Sequence, residues 1–326
     1  MEHRPLGRSG LVVSRLALGT MTWGRDTEEH EAAAQLRAFR EAGGTLVDTA
    51  DVYAGGESER ILGRLVADIG RQEIVLATKA GARTGDGPLS SGTGRRRLLA
   101  ALDGSLSRLR TDHVDLWQVH TWHAGTPLEE TLTALDTAVS SGRVRYAGVS
   151  NFSGWQTAKA AGWQRAAPGR APLISTQVEY SLLARGVERE VVPAALDAGL
   201  GLLPWSPLGR GVLSGAYRAT TPAAGTRAAS PTWNRFVAPY LGEEAGRVVD
   251  AVTTAAGGLG VSPVAVALAW VRDRPGVAAP VVGARTRAQL AQSLESEALT
   301  LPAEITAALD DVSAPALGYP ERLPWE

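Results

Sequence analysis

Short β-rich segments alternate with longer amphipathic segments along most of this chain, and this alternation restricts the folds open to it. It requires parallel strands joined by right-handed helical crossovers, and short apolar strands are typical of a sheet buried on both faces. The β-rich segments are residues 16–19, 46–48, 74–79, 114–120, 144–149, 175–179, 201–204 and 280–282. Eight such units predict an α/β fold, the closed (β/α)8 TIM barrel, with a doubly wound open sheet as the alternative.

The segments outside these strands predict helices and two special connections. Helical patterns cover residues 27–42, 57–67, 95–110, 127–140 and 188–198, and residues 1–14 predict an N-terminal β-hairpin around a turn at 7–10. A stretch rich in Gly, Pro and Ala from 204 to 240 is too long for a simple connection. We interpret it as a long functional loop after strand seven, and residues 1–326 as a single barrel domain that ends in a helix and a proline-rich tail.

Composition narrows the range of partners. The chain has 33 basic and 34 acidic residues, a net charge of -1 and no cysteine. Near-neutral charge offers no basic field to nucleic acid or to an anionic bilayer, and the apolar runs are shorter than the roughly 20 residues of a membrane span. Without cysteine, thiol catalysis and thiolate metal sites are impossible. We expect a cytoplasmic protein, monomeric or weakly homo-oligomeric, whose partner is a small molecule rather than nucleic acid or membrane.

Polar residues stand where the predicted strands end, and the active site of such a barrel lies at the carboxyl ends of its strands. The second to seventh strands end in or near Asp48, Lys79, His120, Ser150 with Asn151, Gln177, and Trp205 with Ser206. Lys79 is one of only two lysines among the 33 basic residues, in a strand expected to be buried, where an ammonium needs a partner. Asp48 is the predicted partner, and a purely structural ion pair is the alternative interpretation.

Tyr53 is the candidate proton donor, because it follows Asp48 by five residues. An ammonium ~4 Å from the phenol, at an effective dielectric near 20, would stabilise the phenolate by at most ~4 kcal/mol, or roughly three pKa units. We therefore expect Lys79 to lower the pKa of Tyr53 toward the range useful for proton donation. A tyrosine that only packs at the barrel rim is the alternative.

His120 is a candidate to polarise a carbonyl oxygen. A zinc site at His120 is disfavoured, because neither cysteine nor clustered carboxylates complete a ligand set, and we predict no metal. Other reaction classes lack their motifs: no serine lies in G-x-S-x-G, no tyrosine is followed four residues later by lysine, and no P-loop occurs. The nearest approach to G-x-G-x-x-G, residues 85–90, lacks the last glycine and follows no strand.

Four motifs carry a family resemblance. Residues 44–53 (GTLVDTADVY) and 144–152 (VRYAGVSNF) are similar to the two signatures of the aldo-keto reductase family, and residues 205–211 (WSPLGRG) and 282–286 (VGART) to its cofactor-binding segments. The chain resembles this family, in its bacterial type, over nearly its whole length, and it is also similar to potassium-channel beta subunits. Asp48, Tyr53, Lys79 and His120 match the family's catalytic tetrad.

The resemblance implies NADPH-dependent reduction of aldehydes or ketones to alcohols by hydride transfer. Tyr53 would be the general acid, Lys79, held by Asp48, would lower its pKa, and His120 would donate a hydrogen bond to the oxygen as charge develops. Ser150, Asn151 and Gln177 would hold the carboxamide of NADPH or NADP+, Trp205 would stack on the nicotinamide, and Arg285 would bind the 2'-phosphate. The residues assigned to cofactor binding are Gly19, Thr20, Met21, Asp48, Ser150, Asn151, Gln177, Trp205, Ser206, Pro207, Leu208, Gly211, Gly283, Arg285, Gln289, Gln292 and Ser293.

The sequence departs from the family pattern at the adenine end. Gln289, Gln292 and Ser293 stand where the family commonly has Asn near the adenine. Trp23 and Trp122 are predicted to line the substrate pocket with Tyr53 and His120, and ordinary packing at the rim is the alternative for both tryptophans.

A regulatory or redox-sensing NADP(H)-binding subunit with little turnover is the second functional hypothesis. A metal-dependent sugar isomerase is a weaker third, since no carboxylate cluster is visible at the rim.

Overall fold

Eight parallel strands close into a barrel in the computed structural model, which describes residues 1–87, 89–215, 234–316 and 318–319. After a hairpin of β1 (His3–Pro5) and β2 (Val12–Ser14), the barrel strands are β3 (Ala17–Gly19), β4 (Leu46–Asp48), β5 (Val75–Ala80), β6 (Val114–Val119), β7 (Val144–Ser150), β8 (Leu173–Glu179), β9 (Gly201–Trp205) and β10 (Val281–Gly283). β10 pairs in parallel with β3 and closes the ring. The predicted (β/α)8 barrel is confirmed, and the open-sheet alternative is wrong.

The N-terminal hairpin is also confirmed, and it covers the amino end of the barrel. Leu6 and Val13 are fully buried there against the first residues of β3 and β4. Gly7 makes this approach possible: its φ is +59°, and a Cβ at this position would lie 2.6 Å from the carbonyl oxygens of Ile174 and Gly199. A side chain at residue 7 would therefore push the hairpin away from the barrel.

Helices surround the barrel. Those described are α1 (Glu29–Glu41), α2 (Glu57–Ile69), α3 (Arg95–Leu109), α4 (Leu128–Ser140), α5 (Gly154–Arg165), α6 (Val191–Ala198), α7 (Asn234–Val237), α8 (Glu243–Leu259), α9 (Pro263–Arg272), α10 (Arg287–Leu294) and α11 (Ala303–Val312). The five predicted helical patterns correspond to α1 to α4 and α6. Local signals fix several ends: the Ser153 hydroxyl caps α5 in a capping box with Gln156, and Ser262 caps α9 directly before Pro263.

The long segment after β9 and the chain end are described only in part. Residues 216–233 of the predicted functional loop lie outside the described residues, as do residues 317 and 320–326 of the predicted tail. On either side of the first gap the structure has a 3-10 segment at Gly209–Ser214, then α7 and a 3-10 turn at Ala238–Tyr240. The helix predicted before the tail is α11.

Within the described ranges no single helix is long and apolar enough to span a membrane, and α8 and α9 meet the length and composition of a span only as a pair bent by 103°.

Strand register brings the polar strand ends together. Asp48 of β4 pairs with Ala77 of β5, and Ser150 of β7 pairs with Gln177 of β8. Because side chains alternate along a strand, Lys79 faces the same side of the sheet as Ala77. It lies two residues closer to the carboxyl end of β5. The register therefore points Asp48 and Lys79 into the barrel interior at its carboxyl end.

Candidate active site

A cavity of about 690 Å³ opens at the carboxyl end of the barrel. Every residue predicted to bind the cofactor lines it, from Gly19 on β3 to Ser293 on α10, together with Tyr53 and His120. The volume lies within the usual range for small-molecule and cofactor sites. The structure thus brings residues from nearly the whole length of the chain to one cavity.

Lys79 lies beneath this cavity in a buried ion pair. Its ammonium donates to Asp48 Oδ2 at 2.6 Å and to the backbone carbonyl of Thr49 at 2.8 Å. The side chains of Lys79 and Asp48 are 1% and 4% exposed. Burial lowers the pKa of Lys79, but the attraction of Asp48, with hydrogen bonds to Asp48 and Tyr53, outweighs burial and raises it above its usual value. Lys79 is therefore a permanent cation at neutral pH.

Tyr53 lies on the turn between β4 and α2, with its hydroxyl 3.3 Å from the ammonium of Lys79. The turn needs left-handed backbone at the next residues, Ala54 and Gly55, with φ of 48° and 62°. Burial raises the pKa of the phenol, and the opposing attraction of Lys79 is smaller. The expected net lowering of this pKa is therefore wrong for the protein alone, because desolvation outweighs the cation. Tyr53 keeps its proton.

His120 follows β6 and meets Tyr53 edge to face, with ring centroids 6.0 Å apart. Burial, with a smaller contribution from Lys79, lowers the pKa of His120 to about 3. Its Nδ1 is buried and has no hydrogen-bond partner among the residues that the structure describes. His120 is thus a neutral imidazole, which has one N–H to donate.

Asn151 connects His120 with Trp205. Its Nδ2 donates to the backbone carbonyl of His120 at 2.9 Å, and its Oδ1 accepts from the indole N–H of Trp205, also at 2.9 Å. Asn151 adopts a left-handed backbone with φ of 56° to do so, and strained positions of this kind cluster at functional sites. The side chain therefore fixes the ring plane of Trp205 relative to His120.

Ser150 and Gln177 extend the same network to the ion pair. The hydroxyl of Ser150 donates to the backbone carbonyl of Gln177 at 2.9 Å, and Nε2 of Gln177 donates to Asp48 Oδ1 at 2.9 Å. Asp48 thus accepts from two side chains, one on each of its oxygens. Gln177 uses one of its two N–H groups in this contact, which leaves the other for a ligand.

The far end of the cavity lies between β10 and α10. Thr286 caps α10, and the backbone N–H of Arg285 donates to Oε1 of Gln289 at 2.9 Å. Loops after the seventh and eighth barrel strands, next to the N-terminus of a short helix, form the common phosphate site of this fold. Arg285, Gln289, Gln292 and Ser293 line the cavity in this region.

The two tryptophans predicted for the substrate pocket lie elsewhere. Trp23 is fully buried in the core, where its indole N–H donates to Oε1 of Gln35 on α1. Trp122 packs edge to face against Phe152 and Trp155, with centroids 5.2 and 5.3 Å away, and is not among the residues that line the cavity. Both predictions are corrected, because each ring finds aromatic, apolar or hydrogen-bonding partners in a neighbouring helix or loop instead of facing the cavity.

Several further residues line the cavity that were not individually predicted from the sequence. These are Thr22, Arg210, Ser214, Phe236, Val264, Val281 and Val282. Arg210 lies between the predicted binding residues Leu208 and Gly211, so the motif itself held a signal for it. Phe236 follows the 216–233 stretch and carries no motif, so no sequence signal pointed to it.

Comparison with known proteins extends the resemblance over the whole barrel. The model of the aldo/keto reductase family matches residues 15–314. Uncharacterized oxidoreductase YrpG of Bacillus subtilis is 39% identical over 338 aligned residues, covering 100% of both chains. The probable voltage-gated potassium channel subunit beta of Oryza sativa subsp. japonica is 35% identical, covering 99% of this chain and 98% of its own. Versiconal hemiacetal acetate reductase of Aspergillus parasiticus is 31% identical, covering 98% and 99%.

The barrel, the strand-end residues and these matches agree over the same stretch of chain. The family match leaves out only the hairpin and the last residues. The chain therefore belongs to the aldo/keto reductase family of oxidoreductases.

Proposed function

We propose that this protein reduces aldehydes or ketones to alcohols with NADPH, using Tyr53 as the proton donor. The observation that carries the proposal is the chain of contacts from Asp48 through Lys79 to Tyr53, which ends in a protonated hydroxyl at the wall of a cofactor-sized cavity. Family membership supports carbonyl reduction in general. The nicotinamide cofactor, its phosphate and the role of each side chain are part of the proposal.

The residues present fit a nicotinamide dinucleotide. The remaining N–H of Gln177 and a lone pair on Oδ1 of Asn151 suit a carboxamide, which has both an acceptor and donors. Trp205 lines the same cavity and offers a flat ring for stacking. The α10 end supplies a helix N-terminus and Arg285 for phosphate groups. When bound, the cofactor supplies the hydride for the carbonyl carbon.

Tyr53 would protonate the substrate oxygen. A phenol with a raised pKa is a weak acid, but hydride addition turns the carbonyl oxygen into a strongly basic alkoxide, and the proton then moves downhill. Lys79 stabilises the phenolate that remains, since its charge lies 3.3 Å from the hydroxyl oxygen. Asp48 holds the ammonium in place, and Gln177 in turn holds Asp48 by donating to its other oxygen.

His120 would stabilise the developing negative charge on the same oxygen. As a neutral imidazole it donates a hydrogen bond without competing for the proton that Tyr53 delivers. Asn151 holds the backbone of His120 in position. The two rings thus approach one substrate oxygen from two sides.

The test is the loss of NADPH absorbance in the presence of a panel of aromatic and aliphatic aldehydes and ketones, run in parallel with NADH. We expect turnover with NADPH for at least part of the panel, with an alcohol product in equal amount. Tight NADPH binding with no turnover of any carbonyl compound would contradict the proposal.

A second candidate, a cofactor-binding regulatory subunit, is favoured by one observation. A relative that is 35% identical over 99% of this chain is described as a probable subunit of a voltage-gated potassium channel. Binding of NADPH without turnover, together with stable co-purification with a membrane protein, would support this candidate. The connected Asp48, Lys79 and Tyr53 side chains favour the reductase.

A further inference from the structure

Arg210 occupies an unusual place beside the cavity. It lies just after β9 in left-handed backbone conformation, with φ of 59°, and it lines the cavity. Its guanidinium forms a two-pronged ion pair with Glu179: Nε donates to Oε1 at 2.7 Å and Nη2 to Oε2 at 2.6 Å. The two side chains are 15% and 18% exposed. A mostly buried, bidentate pair of this kind is strong and geometrically specific.

Aromatic rings and a backbone carbonyl surround the same guanidinium. Its carbon lies 4.1 Å from the ring centroid of Phe236, 5.1 Å from that of Tyr240 and 5.7 Å from that of Trp205. Nη1 also donates to the backbone carbonyl of Phe236. Arginine suits this place because a planar guanidinium can stack on rings and form a fork with a carboxylate at the same time.

These contacts join separate parts of the cavity wall. Glu179 ends β8 and Trp205 ends β9, and the two residues are register partners across the strands. Phe236 and Tyr240 belong to α7 and the 3-10 turn after it. One side chain therefore connects the ring proposed to stack on the nicotinamide with the segment 234–240, whose Phe236 also lines the cavity.

We infer that Arg210 is a positioning residue that sets how long the cofactor stays bound, by holding Trp205 and the segment 234–240 together at the cavity. This rests on the proposed function, since it assumes an NADP(H) site in this cavity. Because Glu179 matches its charge, Arg210 holds the wall rather than attracting phosphate. The two roles predict opposite effects when Glu179 loses its charge.

The experiment measures the rate of NADPH release by stopped-flow displacement, monitored by NADPH fluorescence, in the full chain. Arg210→Lys keeps the charge but loses the fork and the flat stacking surface, and Glu179→Gln removes the carboxylate. We expect each substitution to speed release about tenfold or more, because interface changes act mainly on dissociation rates. We expect the double variant to be no faster than the single ones, as for residues that act as one unit.

Arg185 provides a matched control. It forms the same two-pronged pair with Glu188, and its guanidinium lies 5.2 Å from the ring of Trp270, away from the cavity. We expect Arg185→Lys to leave NADPH release unchanged, and thermal unfolding to show similar stability for the two lysine variants. A difference confined to Arg210 then separates cofactor retention from general destabilisation.

Two results would overturn the inference. If Arg210→Lys releases NADPH at the wild-type rate, charge alone suffices and the fork has no role. If Glu179→Gln slows release, Arg210 acts as an anion ligand that the carboxylate normally weakens. A wild-type protein that does not bind NADPH would overturn the proposed function as well, and only this result affects both.

Discussion

The hydroxyl of Tyr53 lies 3.3 Å from the ammonium of Lys79, and the same ammonium lies 2.6 Å from a carboxylate oxygen of Asp48. Lys79 and Asp48 are buried, and the partly exposed Tyr53 reaches the cavity with its phenol. Burial keeps the proton on Tyr53, and the cation lowers the free energy of the anion that remains after proton transfer. The strand register therefore places the cation of Lys79 within reach of the phenol that the proposed chemistry uses.

Loss of the cation should slow the chemical step strongly. We expect Lys79→Met to lower the rate of carbonyl reduction by about two to three orders of magnitude, because a charge 3.3 Å away stabilises a phenolate by at most ~5 kcal/mol at an effective dielectric near 20. Single-turnover kinetics with saturating NADPH measures this step separately from product release.

Removing one partner of a buried pair also destabilises the fold, so the control is the double variant Asp48→Asn/Lys79→Met, which leaves no unpaired charge. It should recover thermal stability without recovering the rate. A Lys79→Met enzyme that reduces substrate within about threefold of the wild type would show that the cation has no part in proton transfer.

His120 should stay neutral throughout the physiological pH range, since its pKa is lowered to about 3. We expect no change in the rate of reduction between pH 5 and pH 8 that can be assigned to its protonation. An NMR titration of the ring, assigned with a His120→Gln variant, should show a constant shift over this range. A transition near the ordinary pKa of histidine, ~6.5, would contradict the buried neutral imidazole.

The same shift affects stability. The pKa of His120 in the folded state lies below its unfolded value, so the unfolded chain binds the extra proton and the free energy of unfolding falls as pH decreases from about 6.5 toward 3. His120→Gln should remove this part of the acid destabilisation. Denaturant titrations at two pH values, in both proteins, measure it.

Asp51, two residues before Tyr53, should make the protein less stable as pH rises, which is opposite to the effect of His120. It is 6% exposed, its Oδ1 has no partner in the described part of the chain, and burial, opposed by Arg97, raises its pKa to about 6. Because the folded pKa exceeds the unfolded one, stability is lost as pH rises from about 4 to about 6, by up to ~3 kcal/mol.

Asp51→Asn should therefore be more stable relative to the wild type at pH 7 than at pH 4, as measured by urea unfolding. Equal effects of Asp51→Asn at both pH values would mean that folding does not change the pKa of Asp51, and would contradict the raised value.

Arg285 should distinguish NADPH from NADH. If its guanidinium binds the 2'-phosphate, Arg285→Ala should raise the KM for NADPH by about tenfold or more and leave that for NADH unchanged, since a charged hydrogen bond to phosphate is worth about 1.5–3 kcal/mol. Arg287→Ala, two residues along the chain, is the control and should change neither. Equal losses with both cofactors would place the 2'-phosphate elsewhere.

Much of the fold and site is predictable because of simple periodicities. Parallel strands bring their carboxyl ends to one rim, so Asp48, Lys79 and His120 could be grouped from their positions at the ends of three predicted strands. The hairpin could be predicted from its turn. α9 was not predicted, although Ser262 and Pro263 mark its start. Strand ends were more reliable than helix ends because a polar residue after an apolar run marks them.

The failures concern side-chain direction and desolvation. Trp23 and Trp122 lie just past strand ends, where no alternation rule tells which way a ring points. Gln35, the partner of Trp23, is on the helix that follows its strand, whereas Trp155, a partner of Trp122, is on α5, after the next strand. The net pKa shift of Tyr53 depends on how completely the surrounding chain excludes water, which a sequence does not show. Arg210 needed Phe236, 26 residues away, to reveal its role.

The most direct test of the central claim is a comparison of the wild type with Tyr53→Phe in a single turnover of NADPH with an aldehyde that the wild type reduces. We predict that the variant binds NADPH as the wild type does but reduces the aldehyde more slowly by about two to four orders of magnitude, the usual contribution of a general acid. Reduction at the wild-type rate by Tyr53→Phe would contradict the assignment of Tyr53 as the proton donor, and with it the mechanism proposed for this barrel.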